Sequence, residues 1–407
     1  MAGDLEGIRV LDFSQVLAGP FAGQQLAWRG AQVIKVEPVE GGDQMRNRML
    51  PSPLAAVDMA SSFLTLNSGK RSLALDLKSA DGLAVAHDLI RSADVLLHNF
   101  RAGVVDRLGL DYDAVRRVNP AVIWCSISGF GQQGPRNKDA AFDGAIQAAS
   151  GMMANNGHPE TGPTRTGYFP VDMMTGMTAA FAIAGALVRR ARTGEGQALD
   201  VAMFDAAISL QASAFAQYQV DGNEGGLTGN SSATRHPSAD SFPTAEGSIL
   251  MSATGDGHVR SICEEFGILE VLQDPRFCTL ALRQQHRAEF RQVLLGVFAT
   301  DTAQRIAERL SARGVPISRV NTVAEASADP QLAHRRILVP IGAPPAVGKP
   351  VTVMGTAFRG SADDEAPVRL PPALGEHSRE VLAELGYDAA RIGALIDSGV
   401  VRQYAAR

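Results

Sequence analysis

A doubly wound α/β fold with a smaller α+β domain is predicted by three observations. Short apolar strands alternate with helical segments out to Phe204, the pattern of βαβ units on a parallel sheet. The chain has 407 residues, which is long for one domain. Between 221 and 241 the composition shifts to Gly, Asn, Ser and Thr, as in a crossover linker. The expected organisation is a large α/β domain over 1–222, a small domain over 223–326, and a return segment over 327–407 that completes the large one.

In order, residues 8–12 read as a buried strand, and Pro20 suits the first turn of a helix that Gly30 ends. Residues 31–36 are the next strand, which makes the first βαβ unit Rossmann-like. Residues 37–53 are polar and broken by Gly41, Gly42 and Pro51, so a mobile surface loop is expected there. A short strand lies within 70–78, flanked by cations, and Ser79 caps a helix to about Ser92. Residues 94–98 are a strand followed at once by Asn99 and Phe100. Residues 101–118 are helical in two pieces, and 121–127 form a further strand. Residues 173–188 contain no charge, so a helix buried on most sides is predicted. It ends in Arg189 and Arg190, which suit a helix C-terminus. Residues 197–203 are the last strand of the run, and a helix follows to about Val220. Beyond the linker, 242–326 alternates short strands and helices. From Asp329 the chain returns with strands at 337–341 and 351–354 and helices from Gly375 and Asp388.

Bulk properties exclude several function classes. Hydrophobic residues make up 45% and charged residues 20%, with a net charge of −5. No global basic field points to nucleic acid. Cys125, Cys263 and Cys278 form no CxxC pair, and the eight histidines form no HxH or HExxH. A reducing cytosol and no metal site are therefore expected. The N-terminus lacks a basic segment followed by an apolar run, so no signal peptide is expected. The apolar helix, at about 16 residues, is closer to a core helix than to a membrane span.

The chemistry is expected at Asp172, where an extended segment meets the apolar helix. Pro170 is expected to keep the chain extended into that junction. Read locally, Asp172 is an N-cap that accepts first-turn N–H groups. The same N–H groups and the helix dipole would hold it ionised, and an oriented, ionised carboxylate is what nucleophilic catalysis by aspartate requires. Gly129-Phe-Gly131-Gln-Gln-Gly134 matches GxGxxG after a strand. Pro135-Arg-Asn-Lys138 follows instead of a helix, and no acid near 150 would hold a ribose, which argues against dinucleotide binding. Lys70, Arg71, Lys78, Arg101, Arg107 and Lys138 lie at strand ends or helix starts, where such sheets bind anionic ligands; a solvated rim is the alternative for each. Cys125 reads as core. His98 is a candidate for acid–base chemistry or a satisfied, partly buried histidine.

Many separated segments carry a resemblance. They include Gly7-Ile-Arg-Val-Leu-Asp-Phe-Ser, Ala18-Gly-Pro20, Gly30-Ala-Gln-Val-Ile-Lys-Val-Glu-Pro38, Gly42-Asp43, Lys70-Arg-Ser72 and Asp94-Val-Leu-Leu-His-Asn-Phe100. Further matches are Arg107-Leu-Gly109, Ser128-Gly-Phe-Gly131, Val171-Asp-Met-Met-Thr-Gly176, Thr193-Gly-Glu-Gly-Gln197 and Leu374-Gly-Glu-His377. Together they resemble the family III CoA-transferases, the group of formyl-CoA and carnitine CoA-transferases and the related α-methylacyl-CoA racemases. The resemblance implies that Asp172 attacks an acyl-CoA thioester to form an acyl-aspartyl anhydride. An aspartyl-CoA thioester follows, from which a free carboxylic acid takes the CoA. It implies CoA contacts at Val16, Leu75, Lys78, Asn99, Phe100, Arg107 and Met203, with Lys138 near a further family lysine position. It also implies a cytoplasmic, interlocked homodimer, with CoA or acyl-CoA as substrate and no tightly bound cofactor. A glycine-rich loop is expected to offer N–H groups to the oxyanion.

The departures discriminate between branches. The racemase branch has a Gly-His-Asp triplet where this chain has Ala141-Phe142-Asp143. Without a base at 142, proton transfer at Cα is disfavoured, so an acyl-CoA racemase is the alternative reading. The oxalate-specific formyl branch has a glutamine at the place of Leu17 and an arginine at that of Pro38. Its glycine run in the small domain is poorly matched by Gly225-Gly226 and Gly229. Leu17 and Phe142 favour a larger or partly apolar acid.

Overall fold

The computed structural model describes residues 3–47, 52–232, 235–344, 347–361 and 370–405. Six strands run parallel: β1 Arg9–Asp12, β2 Gln32–Glu37, β3 Arg71–Leu75, β4 Val95–His98, β5 Ile123–Ser128 and β6 Gln197–Ala202. Across the sheet they lie in the order β3, β2, β1, β4, β5, β6, and Val401–Arg402 pairs antiparallel with β3 at one edge. The order reverses between β1 and β4. In an open parallel sheet that switch point leaves a crevice at the carboxyl ends of the two strands.

Alternating residues of β1, β2, β4 and β5 enter two cores, as a sheet covered on both faces requires. Val10, Val33, Val95, Ile123 and Cys125 pack with helix α1, Ala18–Trp28. Leu11, Ile34, Leu73 and Leu96 pack with α2, Ala80–Arg91, and with the C-terminal helices Ser378–Glu384 and Ala389–Asp397. Two more helices complete the frame of the site, α3 Asp143–Ala149 and α4 Pro170–Thr193. Ala179, Ile183 and Leu187 of α4 join the α1 core. Gly176 lets the two helices touch: a Cβ there would lie 2.5 Å from the Ala18 carbonyl oxygen and 2.9 Å from the Phe21 ring.

The chain divides into two compact units, 1–150 with 166–212 and 333–407, and 151–165 with 213–332. The divisions fall at 212 and 332 where sequence places them at 222 and 326, and 151–165 goes with the second unit. That unit holds a three-stranded antiparallel sheet, Ser241–Pro243, Ser248–Met251 and Ile317–Arg319. Its core gathers Phe242, Phe290 and Phe298 with the amphipathic helices Arg287–Phe298 and Ala303–Ser311.

Three expectations need correction. Residues 37–53 are only in part a surface loop: Pro38, Glu40, Gly41, Asn47, Ser52 and Pro53 are exposed, but the segment is anchored by buried charges. Glu37, Asp43 and Arg46 are fully buried, because each charge finds an opposite partner there; residues 48–51 lie outside the described residues. Pro170 does not extend the chain before α4 but occupies its first turn, where its missing N–H costs nothing. The helix is consequently 24 residues long, enough by length and composition to cross a membrane, with half of its apolar window buried inside the protein.

Candidate functional site

The crevice at the switch point is walled by the loops that leave β1, β4 and β5 and by the start of α4. A cavity of about 360 Å³ is lined there by Val16, Asn99, Phe100, Lys138, Asp172 and Met203, among others. A second cavity of about 540 Å³ is lined by Leu75, Lys78, Phe100 and Arg107. Gln15, Phe100 and Val104 line both. The nine positions singled out in the sequence thus fall on two adjoining cavities. Arg101 joins the first as a further cation, with Asp139 on the same wall.

Asp172 is the third residue of α4 and only 8% exposed. It is not the N-cap. The N–H groups of Val171 and Asp172 both donate to Asp143 Oδ2, at 2.9 and 3.0 Å. Asp143 therefore caps α4 from another helix and leaves the Asp172 carboxylate unengaged by its own helix end. Gln147 holds the cap, donating from Nε2 to Asp143 Oδ1 at 2.5 Å and accepting the Thr166 N–H at 3.1 Å.

The electrostatics follow from this arrangement. Burial pushes the Asp172 carboxyl up, the Asp143 charge adds to that, and an N–H from Ala18 offsets part of it. The result is about 7, well above the ordinary carboxylate range. The expectation that the helix end would keep Asp172 firmly ionised is thus overturned, because the N–H groups that would have done so are spent on Asp143.

The backbone group that pulls the Asp172 carboxyl down belongs to Ala18, the first residue of α1 after the β1–α1 turn, and not to the glycine-rich segment. In that segment the Gly131 N–H donates to Ser128 Oγ at 3.0 Å and the Gln132 N–H to Asp200 Oδ2 at 2.8 Å. The turn is built on a strained residue: Val16 has φ of +73°, a left-handed conformation costly for a β-branched side chain. Asn99 braces it, accepting the Gln15 N–H at 2.9 Å and donating to the Gln15 carbonyl at 2.6 Å.

Three sequence candidates, His98, Lys70 and Arg71, leave the site. His98 is fully buried, stacked on Phe100 and edge-on to Trp124. Burial pushes its pKa down to about 3, so it stays neutral and has no catalytic access. Lys70 is neither ligand nor solvated rim; it is buried against Asp12 at 2.8 Å. Arg71 pairs with Glu380 and Glu384. Cys125 is core, its thiol pushed up to about 12 by burial. The sequence reading missed Ala18 and Asp143 as site residues. Both stood inside quoted motifs, Ala18-Gly-Pro20 and the Ala141-Phe142-Asp143 triplet, but only folding brings them to Asp172.

Comparison with known proteins settles the family. The sequence profile described as CoA-transferase family III matches residues 5–378. The chain belongs to CoA-transferase family III. Family III relatives include a succinate–glutarate CoA-transferase of Agrobacterium fabrum, 36% identical over 94% of this chain and 95% of that protein. A succinyl-CoA:glutarate CoA-transferase of Homo sapiens is 32% identical over 98% of this chain and 90% of its own length. Among solved structures, a CAIB/BAIF family protein from Brucella suis superposes with a TM-score of 0.85 at 33% identity, covering 95% of this chain and all of that one. As a family III member the chain is a CoA-transferase acting on acyl-CoA and a carboxylate.

Proposed function

We propose that the enzyme moves CoA from an acyl-CoA donor to a free carboxylic acid through covalent intermediates on Asp172. The observation that carries this is a buried carboxylate on the wall of a cavity lined by several of the positions expected to contact CoA, with Ala18, at the start of α1, on the same wall. The ionised Asp172 attacks the thioester carbonyl, the C–S bond breaks, and CoA leaves as thiolate. The thiolate attacks the aspartyl carbonyl of the anhydride, and the donor acid departs as carboxylate. The incoming carboxylate attacks the aspartyl-CoA thioester, and the released thiolate takes the new acyl group, which regenerates Asp172. Each step exchanges one nucleophile for one leaving group, so no external acid, base or metal enters the balance.

Lys78 and Arg107 on the second cavity supply cations for the nucleotide phosphates, and Val16, Asn99, Phe100 and Met203 guide the pantetheine arm toward Asp172. Leu17, Phe21, Met45 and Phe63, with Met173 and Met177, form an apolar cluster beside the nucleophile. That supports an acid with an apolar portion, in the size range of the dicarboxylic acids named for the relatives. Phe142 at the family triplet provides no base for Cα exchange.

A homodimer is part of the proposal. Phe142 and Tyr168 are each 66% exposed, and Phe181 and Val188 of α4 face solvent. An apolar stripe on a core helix is what a second copy would cover. The activity test is Asp172→Ala, assayed for CoA exchange between succinyl-CoA and glutarate and between related pairs. Loss of turnover with retained CoA binding is expected; full activity in the variant would remove Asp172 from the mechanism.

A further inference from the structure

The turn that carries Val16 and leads into Ala18 at the start of α1 rests on two fully buried charges. Lys35, on β2, and Asp43, in the following segment, are paired at 2.8 Å with both side chains wholly buried. Their remaining bonds go to backbone. Lys35 Nζ donates to the Ser14 carbonyl at 2.9 Å. Asp43 Oδ1 accepts the Val16 N–H at 3.2 Å and the Met45 N–H at 3.0 Å. The pair thus grips the turn on both sides of Gln15 and next to the strained residue.

A buried pair of this kind is a poor source of stability, since apolar residues of similar volume do as well. A left-handed valine is also a net cost that the surroundings must hold in place. Both costs are incurred two residues from the N–H that serves Asp172. We propose that Lys35 and Asp43 are positioning residues that lock the Val16 turn, and with it the cavity wall of Val16, Leu17 and Ala18 that faces Asp172. This rests on Asp172 being the nucleophile. Through the turn, the pair sets both the depth of the donor and the wall that the thioester lies against. Asp12 belongs to the same device: its Oδ1 accepts the Ser14 N–H at 3.0 Å, and Lys70 holds its Oδ2.

The test uses Lys35→Met/Asp43→Leu, which removes the grip without leaving an orphan charge. Three readouts separate positioning from mere stability. Hydrogen exchange of the 14–18 peptide, which needs no substrate, is expected to lose protection, while the peptides of β4 and β5 keep theirs. The kcat for CoA transfer is expected to fall roughly 10- to 100-fold with a smaller change in KM. The acid limb of the pH–rate profile is expected to move upward, since the Ala18 N–H opposes the raising effects of burial and of Asp143 on α3; Arg101, Lys138 and Asp139 on the cavity wall are unchanged by the substitution. Lys35→Met/Asp43→Asn leaves no orphan charge and retains an acceptor for the Val16 N–H, so it is expected to keep the 14–18 protection that Lys35→Met/Asp43→Leu loses. Native protection of 14–18 in Lys35→Met/Asp43→Leu would overturn the proposal, as would native kcat and pH profile. If Asp172→Ala is active, the catalytic reading fails by itself, and hydrogen exchange still decides whether the pair holds the turn.

Discussion

The Asp172 carboxyl stands at about 7 because burial strips it of water and Asp143 adds a like charge, against the pull of the Ala18 N–H. A carboxylate of higher basicity is a stronger nucleophile toward a thioester, and only its ionised form reacts. Turnover should therefore fall about tenfold per pH unit below roughly pH 7, a limb that a pH–rate profile of kcat/KM will resolve. The same shift makes a stability statement. A carboxyl raised above its unfolded value contributes stability that is full below about pH 4 and is lost as pH rises to about 7. Asp172→Asn should gain on the wild type from pH 4 to 7 and hold the advantage above that, at most on the order of 4 kcal/mol. Thermal melts of the pair at several pH values measure the difference; equal melting at pH 8 would count against a buried, perturbed carboxyl. Local sequence pointed to Asp172 but assigned it the wrong local role. Pro170 within the first turn and a cap arriving from 29 residues away in the chain are tertiary facts that a window around Asp172 does not contain.

Two elements place that residue, α3 through its cap and α1 through its close approach. Asp143→Ala orphans two N–H groups at the start of α4, which should cost about 1–3 kcal/mol in a denaturant melt. Asp143→Asn keeps an acceptor and removes the charge, so its acid limb should move to lower pH while most of the stability remains. If the limb does not move, the Asp143 charge is not what raises Asp172. On the other side, Gly176→Ala drives a methyl into the Ala18 carbonyl and the Phe21 ring. It should lower kcat through the Ala18–Asp172 distance, more than CoA binding, as a kcat-against-KM comparison would show. At this scale the sequence was a good guide to the order of strands and helices, since strand and helix follow from apolar periodicity, but not to the length of α4. It was a poor guide to the charges within 37–47, because the Lys35–Asp43 and Glu37–Arg46 pairs, with the Ser72 hydroxyl donating to Glu37, look like a solvated loop until folding buries them.

For the whole molecule, the sheet order places the reversal between β1 and β4, and both cavities lie at the carboxyl ends of the strands, the first at the switch point. The nine positions come from seven separate stretches of chain, and their convergence needs the folded sheet. The apolar stripe on α4 gives the assembly its test. Phe181→Asp should reduce dimer content in light scattering of the eluting protein while leaving the 172 neighbourhood folded; an unchanged mass with full activity would say that another surface forms the interface, or none does.

The central claim is a covalent bond to Asp172. Intact-protein mass spectrometry after mixing with succinyl-CoA and quenching with hydroxylamine or borohydride tests it most directly. An adduct or reduction product that maps to Asp172, and is absent in Asp172→Asn, is the predicted result. Efficient CoA exchange with no modification at Asp172 under any donor would contradict the account.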